Sequence, residues 1–315
     1  MKRKKTSSPL GFSTLRDFLR YGVSRFNAAG LSYGHGTANA RDEAAYLILE
    51  TLNLPLDELE PYLDARLTAA EKSAVFSILE KRVKTRKPAA YLTNKGYLQG
   101  LQFYVDERVI VPRSFIGDIL CSDAVGGDEE TLIDDPTAVS SVLDLCTGSA
   151  SLAILAAHVF PFAEVDAVDL SKDALAVAKI NVAKYGLEER VTLYRGDLFA
   201  PLKGKKYDLI ITNPPYVHSE LMADLPPEHL HEPKMALAAG HDGLDIVRRI
   251  LKEAPKHMNE GAGLLCEIGA GKDFLEAEYP HLDFTWLDTE LSTAEVFWLT
   301  REKIFTAAEI GRAHV

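Results

Sequence analysis

Hydrophobic residues recur at two different spacings along this chain, and the spacing changes near residue 95. Before that point, apolar positions return every three or four residues, as at Leu15 and Phe18, which is typical of amphipathic helices. The helices predicted in this way are 10–30, 39–53 and 68–87. Thr68 and Glu71 have the spacing of a capping box at the start of the third helix. The pattern therefore predicts an N-terminal helical domain over residues 1–95.

The pattern becomes alternating between Tyr97 and Val111, where aromatic and β-branched residues are separated by polar ones. This alternation predicts a β-hairpin, with Asp106 and Glu107 at its turn. We take residues 96–113 to be a linker that this hairpin forms.

Short apolar runs alternate with helical stretches over residues 114–308. This order predicts an α/β domain, in which a mostly parallel sheet is covered by helices on both faces. The predicted strands are 140–146, 164–169, 190–195, 207–213, 262–268, 283–288 and 294–300. The predicted helices are 151–159, 173–185, 243–257 and 271–279. The last seven residues, 309–315, depart from the preceding pattern, so we treat them as a suspected non-native tail.

The composition limits the class of protein. It is 47% hydrophobic and 26% charged, as in an ordinary globular protein rather than a disordered one. The three cysteines show no Cys-x-x-Cys spacing, so we expect neither a disulfide framework nor a metal site, and a cytoplasmic location fits. No apolar run reaches the roughly 18 residues of a membrane span, so we expect no membrane partner.

The loop between the first two predicted helices contains several glycines and His35, and we expect this histidine to lie on the surface.

Charge is distributed unevenly. Residues 1–95 contain 16 Lys and Arg against 10 Asp and Glu, whereas the rest of the chain contains 19 against 36. A basic segment favours RNA phosphates or an acidic face, and a strongly acidic one repels DNA and attracts a basic polypeptide. We therefore expect no DNA partner. Two solvated surfaces without any partner remain the simpler alternative for the charge balance alone.

A candidate catalytic loop follows the predicted strand 207–213. The apolar run Leu209–Ile211 is typical of a strand buried on both faces, and it ends at Asn213-Pro214-Pro215-Tyr216. Prolines fix φ and lack an N–H donor, so the Pro214 carbonyl is left as an acceptor beside the amide of Asn213. Such a pair suits a planar amino group, with Tyr216 as a flat wall beside it. A simple strand-ending turn is the alternative.

A candidate cofactor site precedes this loop. A glycine-bearing turn after the first strand, before a helix, lets polar groups of a ligand approach the backbone. It lacks the G-x-G-x-x-G spacing of dinucleotide sites, which favours adenosine without phosphates. Asp169, at the end of the second strand, is placed to accept the ribose hydroxyls, and Asp197, after the third, to accept the adenine amino group. The predicted cofactor residues are Asp144, Thr147, Gly148, Ser149, Asp169, Asp197, Leu198 and Asn213. Helix caps or solvated loops are the alternative for each aspartate.

Together, these motifs resemble the S-adenosylmethionine-dependent methyltransferases that modify glutamine amides in proteins. The resemblance covers nearly the whole chain. Val111-Pro112-Arg113-Ser114 and Cys146 are similar to the subgroup that modifies a ribosomal protein, rather than to the subgroup that modifies release factors. Ala150 departs from the pattern, because the family has glycine there, so we expect Ala150→Gly to tighten cofactor binding.

The resemblance implies a Rossmann-like class I fold with the sheet order 3-2-1-4-5-7-6 and S-adenosylmethionine as the methyl donor, without a metal. It implies that Asn213 and Pro214 accept the two N–H groups of a glutamine amide and that Tyr216 packs on that amide. Pro215, Arg113 and Glu267 would lie on the substrate side, although an interdomain salt bridge for Arg113 and a structural role for Glu267 are alternatives. The expected substrate is the large-subunit ribosomal protein uL3, met during ribosome assembly and recognised by the helical domain.

Two alternative hypotheses for the reaction use the same Asn-Pro-Pro-Tyr loop. One is methylation of a release-factor glutamine, and the other is methylation of an exocyclic amine of a nucleic acid, which has the same planar geometry. The acidic character of the second domain disfavours DNA. A non-catalytic assembly factor is a further alternative, disfavoured by the intact Asn-Pro-Pro-Tyr sequence.

Overall fold

The computed structural model describes residues 11–128 and 131–305, so the suspected tail 309–315 lies outside the described residues. The contacts divide the chain into two compact units, Met1–Gly96 with Leu225–His231, and Tyr97–Asp224 with Glu232–Val315. Sequence analysis assigned 225–231 to the second domain. The structure differs because Glu228 is fully buried in the first unit, where it accepts hydrogen bonds from Arg82 and Arg86.

The first unit is built from helices. They are α1 (Leu15–Ala28), α2 (Ala40–Leu52), α3 (Ala69–Thr85) and α4 (Ala89–Thr93). The predicted capping box of α3 is confirmed, because the Thr68 hydroxyl accepts the Glu71 N–H and the Glu71 carboxylate accepts the Thr68 N–H. Gly22 lets α1 approach α2 closely, since a Cβ there would lie 3.0 Å from the Cβ of Ala44.

Two histidines pack together in this unit. His35 is only 3% exposed, and its ring centroid lies 4.4 Å from that of His229. The prediction of a surface position for His35 was therefore wrong, because the loop that carries this residue is covered by the later segment Leu225–His231.

The hairpin is shorter than predicted. Strands β1 (Lys95–Leu98) and β2 (Leu101–Tyr104) form a two-stranded sheet. Their turn is made by Gln99 and Gly100, which both have positive φ, as in the two-residue turns that match strand twist. The predicted turn at Asp106 and the predicted strand up to Val111 are wrong, since the chain has already left the sheet there.

The second unit is a doubly wound α/β fold. Its strands are β3 (Ser141–Leu145), β4 (Glu164–Asp169), β5 (Val191–Arg195), β6 (Tyr207–Thr212), β7 (Met258–Glu267), β8 (Thr285–Leu287) and β9 (Val296–Thr300). Its helices are α5 (Ile116–Leu120), α6 (Ser151–Val159), α7 (Lys172–Lys184), α8 (Asp245–Glu253) and α9 (Lys272–Glu278). The spatial order is β5-β4-β3-β6-β7-β9-β8. Numbered within this sheet, the order is 3-2-1-4-5-7-6, so the predicted topology is confirmed.

Strand pairing sets the position of the site. β3 pairs in parallel with β4 on one side and β6 on the other, and Leu145 lies opposite both Val168 and Thr212. The strand order reverses at β3, and such switch points open a crevice at the carboxyl edge of the sheet. Leu209, Ile210 and Ile211 of β6 are completely buried, as predicted for a strand covered on both faces.

Among the described residues, every helix falls short of the length and apolar character that crossing a bilayer requires.

Candidate functional site

The turn between β3 and α6 adopts an unusual backbone conformation. Cys146, Gly148 and Ala150 all have positive φ, at 60°, 55° and 62°. A Cβ at Gly148 would meet nothing within 4 Å, so this part of the turn is open to a ligand. Cys146 and Ala150 adopt a left-handed conformation that costs a non-glycine residue roughly 1 kcal/mol. The turn therefore holds a strained conformation that presents its backbone.

Asp169 joins the ends of the first two strands. Its two carboxylate oxygens accept the N–H of Gly148 at 2.9 Å and the N–H of Ser171 at 2.7 Å. Burial raises the pKa of Asp169, while these two N–H groups act in the opposite direction. Each carboxylate oxygen has a second lone pair, so Asp169 retains acceptor capacity for hydroxyl groups of a ligand.

The third strand contributes Asp197 and Leu198. Asp197 is half exposed and accepts a hydrogen bond from Arg249 at 2.7 Å. Leu198 is nearly buried, with φ of 49°. This loop thus offers a charged acceptor next to an apolar side chain.

The loop after β6 carries the two predicted amide acceptors. Within the described residues, no hydrogen bond engages the side chain of Asn213 or the carbonyl of Pro214. Asn213 is half-buried and Pro214 is buried, so two neighbouring acceptors without a protein donor indicate a place for an external donor. A planar group with two N–H bonds has the matching chemistry.

Tyr216 is fixed at two places. Its hydroxyl donates to Glu267 Oε1 at 3.0 Å. A Cβ on Gly269 would lie 2.9 Å from the ring of Tyr216, so the ring rests on the backbone of that glycine. Burial and the charge of Glu267 raise the pKa of Tyr216 well above its usual value, and the phenol therefore stays a donor.

Arg113 is held by a carboxylate of its own unit. It donates to the two oxygens of Glu232 at 2.5 and 2.8 Å. Glu232 is 3% exposed and also accepts the N–H of Val111 at 3.0 Å. The expectation of an interdomain salt bridge was wrong, since Glu232 belongs to the same unit as Arg113. A substrate contact of Arg113 stays a prediction.

These loops surround one cavity at the carboxyl edge of the sheet. Its wall is formed by Arg108, Val109, Ile110, Cys146, Gly148, Val168, Asp169, Leu170, Ser171, Ala174, Gly196, Asp197, Leu198, Asn213, Pro215, Pro233, Met235, Ala236 and Ile246. Of the predicted site residues, this wall contains Gly148, Asp169, Asp197, Leu198, Asn213 and Pro215. Among the described residues it does not include Asp144, Thr147, Ser149, Arg113, Pro214, Tyr216 or Glu267. The wall is largely apolar with few convergent polar groups, as in typical small-molecule sites.

Three predicted cofactor residues are buried and are not part of the wall. Asp144 is 1% exposed and accepts hydrogen bonds from the Thr147 hydroxyl and the Ala153 N–H. Burial raises the pKa of Asp144 to about 7, and its Oδ1 is buried without a partner among the described residues. The carbonyl of Ser149 accepts a hydrogen bond from a buried amide. These residues shape the turn, and their contact with a cofactor stays a prediction.

Sequence analysis missed Asn181 of α7. Its side chain is completely buried and bonds to Ser149 O at 2.9 Å, Tyr104 O at 3.1 Å and Tyr104 N at 2.7 Å. It thereby ties the cofactor turn to β2. A polar residue on the inner face of an amphipathic helix was the available signal, since buried amides need partners.

The chain is similar to proteins of known family. The family described as "Methyltransferase small domain" matches residues 130–240. The ribosomal protein uL3 glutamine methyltransferase of Bradyrhizobium diazoefficiens is 59% identical over 288 residues, which cover 91% of this chain and 90% of that protein. The protein of the same name from Neisseria meningitidis serogroup B is 56% identical over 292 residues, or 93% and 94% of the two chains. A methyltransferase structure from Pyrococcus furiosus aligns over 72% of this chain and 99% of that one, with 17% identity and a TM-score of 0.47.

The cavity fits the methyl donor that the motifs imply. It joins an open glycine turn, an apolar wall and the carboxylates of Asp169 and Asp197, which suit an adenosine and a sulfonium group without phosphates. The protein is an S-adenosylmethionine-dependent methyltransferase. The proteins from Bradyrhizobium diazoefficiens and Neisseria meningitidis are identical to this chain at more than half of the aligned positions, and each alignment covers more than nine-tenths of the chain. The chain therefore belongs to the ribosomal protein uL3 glutamine methyltransferase family.

Proposed function

We propose that this protein transfers a methyl group to the side-chain amide nitrogen of a glutamine in ribosomal protein uL3. The observation that carries the chemistry is the pair of unengaged acceptors on Asn213 and Pro214 at the end of β6. The choice of uL3 is supported by the name shared by the relatives of this family. The reaction fits a cytoplasmic protein that meets uL3 before or during ribosome assembly.

The two acceptors address the main chemical difficulty. An amide nitrogen is a poor nucleophile because its lone pair is delocalised into the carbonyl group. Hydrogen bonds from its two N–H groups to Asn213 and Pro214 orient the nitrogen, and positioning of this kind supplies a large part of a rate enhancement. As the N–C bond forms, the nitrogen becomes positive, so both acceptors bind it more strongly in the transition state. The nitrogen then loses one proton to solvent water.

The cofactor side uses the glycine turn and the strand-end aspartates. When bound, S-adenosylmethionine would supply an electrophilic methyl group, and the electron pair of the broken sulfur–methyl bond would stay on the sulfur. Asp169 would accept the ribose hydroxyls, and Asp197 with Leu198 would hold the adenine. Gly148 and Asn213 complete this side of the wall, while Asp144, Thr147 and Ser149 support the turn from below.

The acceptor side uses the remainder of the loop. Pro215 lines the cavity, and the ring of Tyr216 would pack on the glutamine amide. Arg113 would guide the substrate backbone, and a direct substrate contact of Glu267 is a separate prediction. The acidic part of the chain, with 36 Asp and Glu against 19 Lys and Arg after residue 95, favours a basic polypeptide and slows its association as salt rises.

The test is methyl transfer by the purified protein from labelled S-adenosylmethionine to purified uL3. Mass spectrometry then locates the added mass. We expect one methylated glutamine and no product when that glutamine is replaced by asparagine, because the shorter side chain cannot reach the acceptors. Asn213→Ala serves as the matched enzyme control.

Two parallel reactions decide between substrates. A release factor and a structured ribosomal RNA are each incubated under the same conditions. Methylation of the release-factor glutamine with none on uL3 would replace the proposed substrate by the other glutamine protein. Methylation of the RNA alone would move the acceptor to an exocyclic amine and overturn the proposal.

A further inference from the structure

Glu267 is a buried carboxylate that bonds to the tyrosine of the Asn-Pro-Pro-Tyr loop. It ends β7, is 1% exposed and belongs to the same unit as that loop. It does not belong to the cavity wall among the described residues. A charged side chain in such a place is costly unless it is fully hydrogen-bonded, so its partners indicate its role.

The two oxygens of Glu267 have different partners. Oε2 accepts the Ser114 hydroxyl at 2.7 Å and the Phe115 N–H at 2.9 Å, whereas Oε1 accepts the Tyr216 hydroxyl at 3.0 Å. Ser114 is held in turn, because its hydroxyl oxygen accepts the Ile116 N–H at 3.2 Å. One half of the carboxylate is therefore fixed by the start of α5, and the other half faces the loop.

Tyr216 has little freedom in this arrangement. The hydroxyl is the far end of its ring, so a hydrogen bond there limits rotation of the whole side chain. The ring also rests on Gly269, whose φ of 55° and missing Cβ leave the necessary space. Beyond Tyr216, the Val217 N–H donates to Leu237 O at 2.8 Å, which fixes the following backbone.

We propose that Glu267 is a positioning residue that holds Tyr216, and through it the amide-binding loop, without touching the substrate. This inference rests on the proposed function, in which Tyr216 packs on the glutamine amide. The carboxylate sets the orientation of the ring, and Ser114 and Phe115 set the orientation of the carboxylate. Direct contact of Glu267 with the substrate is the competing assignment.

A double-mutant cycle separates the two assignments. Tyr216→Phe removes only the hydroxyl, and Glu267→Gln keeps an oxygen for Ser114 and Phe115 but turns an amide nitrogen towards Tyr216. We expect Tyr216→Phe to lower kcat about tenfold and Glu267→Gln to lower it about threefold to tenfold, because a charge-assisted hydrogen bond is lost or weakened. Adding Glu267→Gln to Tyr216→Phe should change kcat less than about twofold. An equal loss in both backgrounds would mean that Glu267 acts on the substrate directly.

Two further measurements exclude a merely structural role. Ser114→Ala removes a donor from the same carboxylate but leaves the Tyr216 bond, so it should lower the melting temperature with a smaller loss of kcat than Tyr216→Phe. In protein labelled with ¹³C-tyrosine, the Tyr216 ring signals should shift in Glu267→Gln and shift less in Ser114→Ala. Unchanged ring signals in Glu267→Gln would overturn the inference.

The spectroscopic measurement needs no substrate. If the wild-type protein fails to methylate any glutamine, the proposed function is wrong, yet the ring signals still decide whether Glu267 holds Tyr216. If the wild-type protein is active and the cycle shows independent losses, the proposed function stands and the positioning role is wrong.

Discussion

The side-chain amide of Asn181 donates a hydrogen bond to the backbone carbonyl of Ser149 at 2.9 Å. Both groups are buried, and Ser149 follows the glycine that opens the cofactor turn. The same amide group exchanges two hydrogen bonds with the backbone of Tyr104, four residues before the cavity residue Arg108. One helix side chain thus fixes two segments that lead into the cavity wall.

Asn181→Ala should weaken binding of S-adenosylmethionine about tenfold. The substitution leaves the Ser149 carbonyl without its donor, which costs roughly 1 to 3 kcal/mol and loosens the turn. Calorimetric titration measures the affinity. Asn259→Ala is the matched control, because that amide donates to Asp208 at 2.7 Å, in residues that are not part of the cavity wall. Equal affinity losses in both variants would contradict a specific role for Asn181.

Asn213→Ala should lower kcat at least about a hundredfold, equivalent to roughly 3 kcal/mol of transition-state stabilisation. The side chain makes no hydrogen bond within the described residues, so folding should be nearly unaffected. Steady-state kinetics with uL3 and a thermal melt test both statements. A variant that keeps most of its turnover would rule out orientation of the amide by Asn213.

Arg82→Met should destabilise the first unit by about 3 to 5 kcal/mol. Arg82 is fully buried between Glu43 and Glu228, at 2.7 and 3.3 Å. Its removal leaves the buried Glu43 without a guanidinium partner and leaves Glu228 paired with Arg86 alone. Arg16→Met is the control, because its pair with Asp64 is exposed and such pairs contribute about 1 kcal/mol or less. Urea unfolding should separate the two variants clearly, and similar losses would show that the buried network adds little.

Asp144 should make stability fall as pH rises from about 4 to about 7. Burial raises its folded-state pKa to about 7, above the value of about 4 for an unfolded aspartate. Between these values the folded state binds one more proton than the unfolded state, so rising pH removes stability. The loss has an upper bound of about 4 kcal/mol.

Asp144→Asn isolates this effect, since the amide oxygen can still accept from Thr147 and Ala153 but cannot titrate. The stability of the wild type relative to this variant should decrease by at least about 1 kcal/mol between pH 5 and pH 7.5 in urea unfolding. A difference that stays constant with pH would show that Asp144 is ionised throughout the range.

Part of the sheet was predictable because some strands, such as β6, contain an apolar, β-branched run that is followed by polar residues. Leu209–Ile211 and the following Asn213 are one example. Parallel pairing brings the strand ends together, so the sequence predicts the loops after β3, β4, β5 and β6 at one edge of the sheet. The capping box of α3 was predictable from a different local signal, the spacing of Thr68 and Glu71.

The features that escaped prediction depend on contacts between distant parts of the chain. Glu228 lies in the first unit because Arg82 and Arg86 bind it there. The spacing of hydrophobic residues along the sequence cannot predict an ion pair between distant residues. The hairpin was misplaced because the Gln99-Gly100 turn lacks the usual Asn-Gly signal. Asn181 looked like an ordinary helix residue until its partners were known.

Ala150→Gly should tighten binding of S-adenosylmethionine about threefold to tenfold, or roughly 0.6 to 1.4 kcal/mol. Ala150 has φ of 62°, a conformation that glycine adopts freely and alanine adopts at a cost of roughly 1 kcal/mol. Lower strain increases the population of the turn conformation that the cofactor needs.

The loss of one buried methyl group at this position costs about 0.8 kcal/mol. Because that loss nearly offsets the relief of strain, global stability should change little while affinity improves. Ala294→Gly is the matched control, since Ala294 has φ of 55° and is not part of the cavity wall. Its calorimetric affinity should equal that of the wild type. An unchanged affinity in Ala150→Gly would mean that the strained turn is already fully populated without cofactor, so that the alanine at this position is neutral for binding.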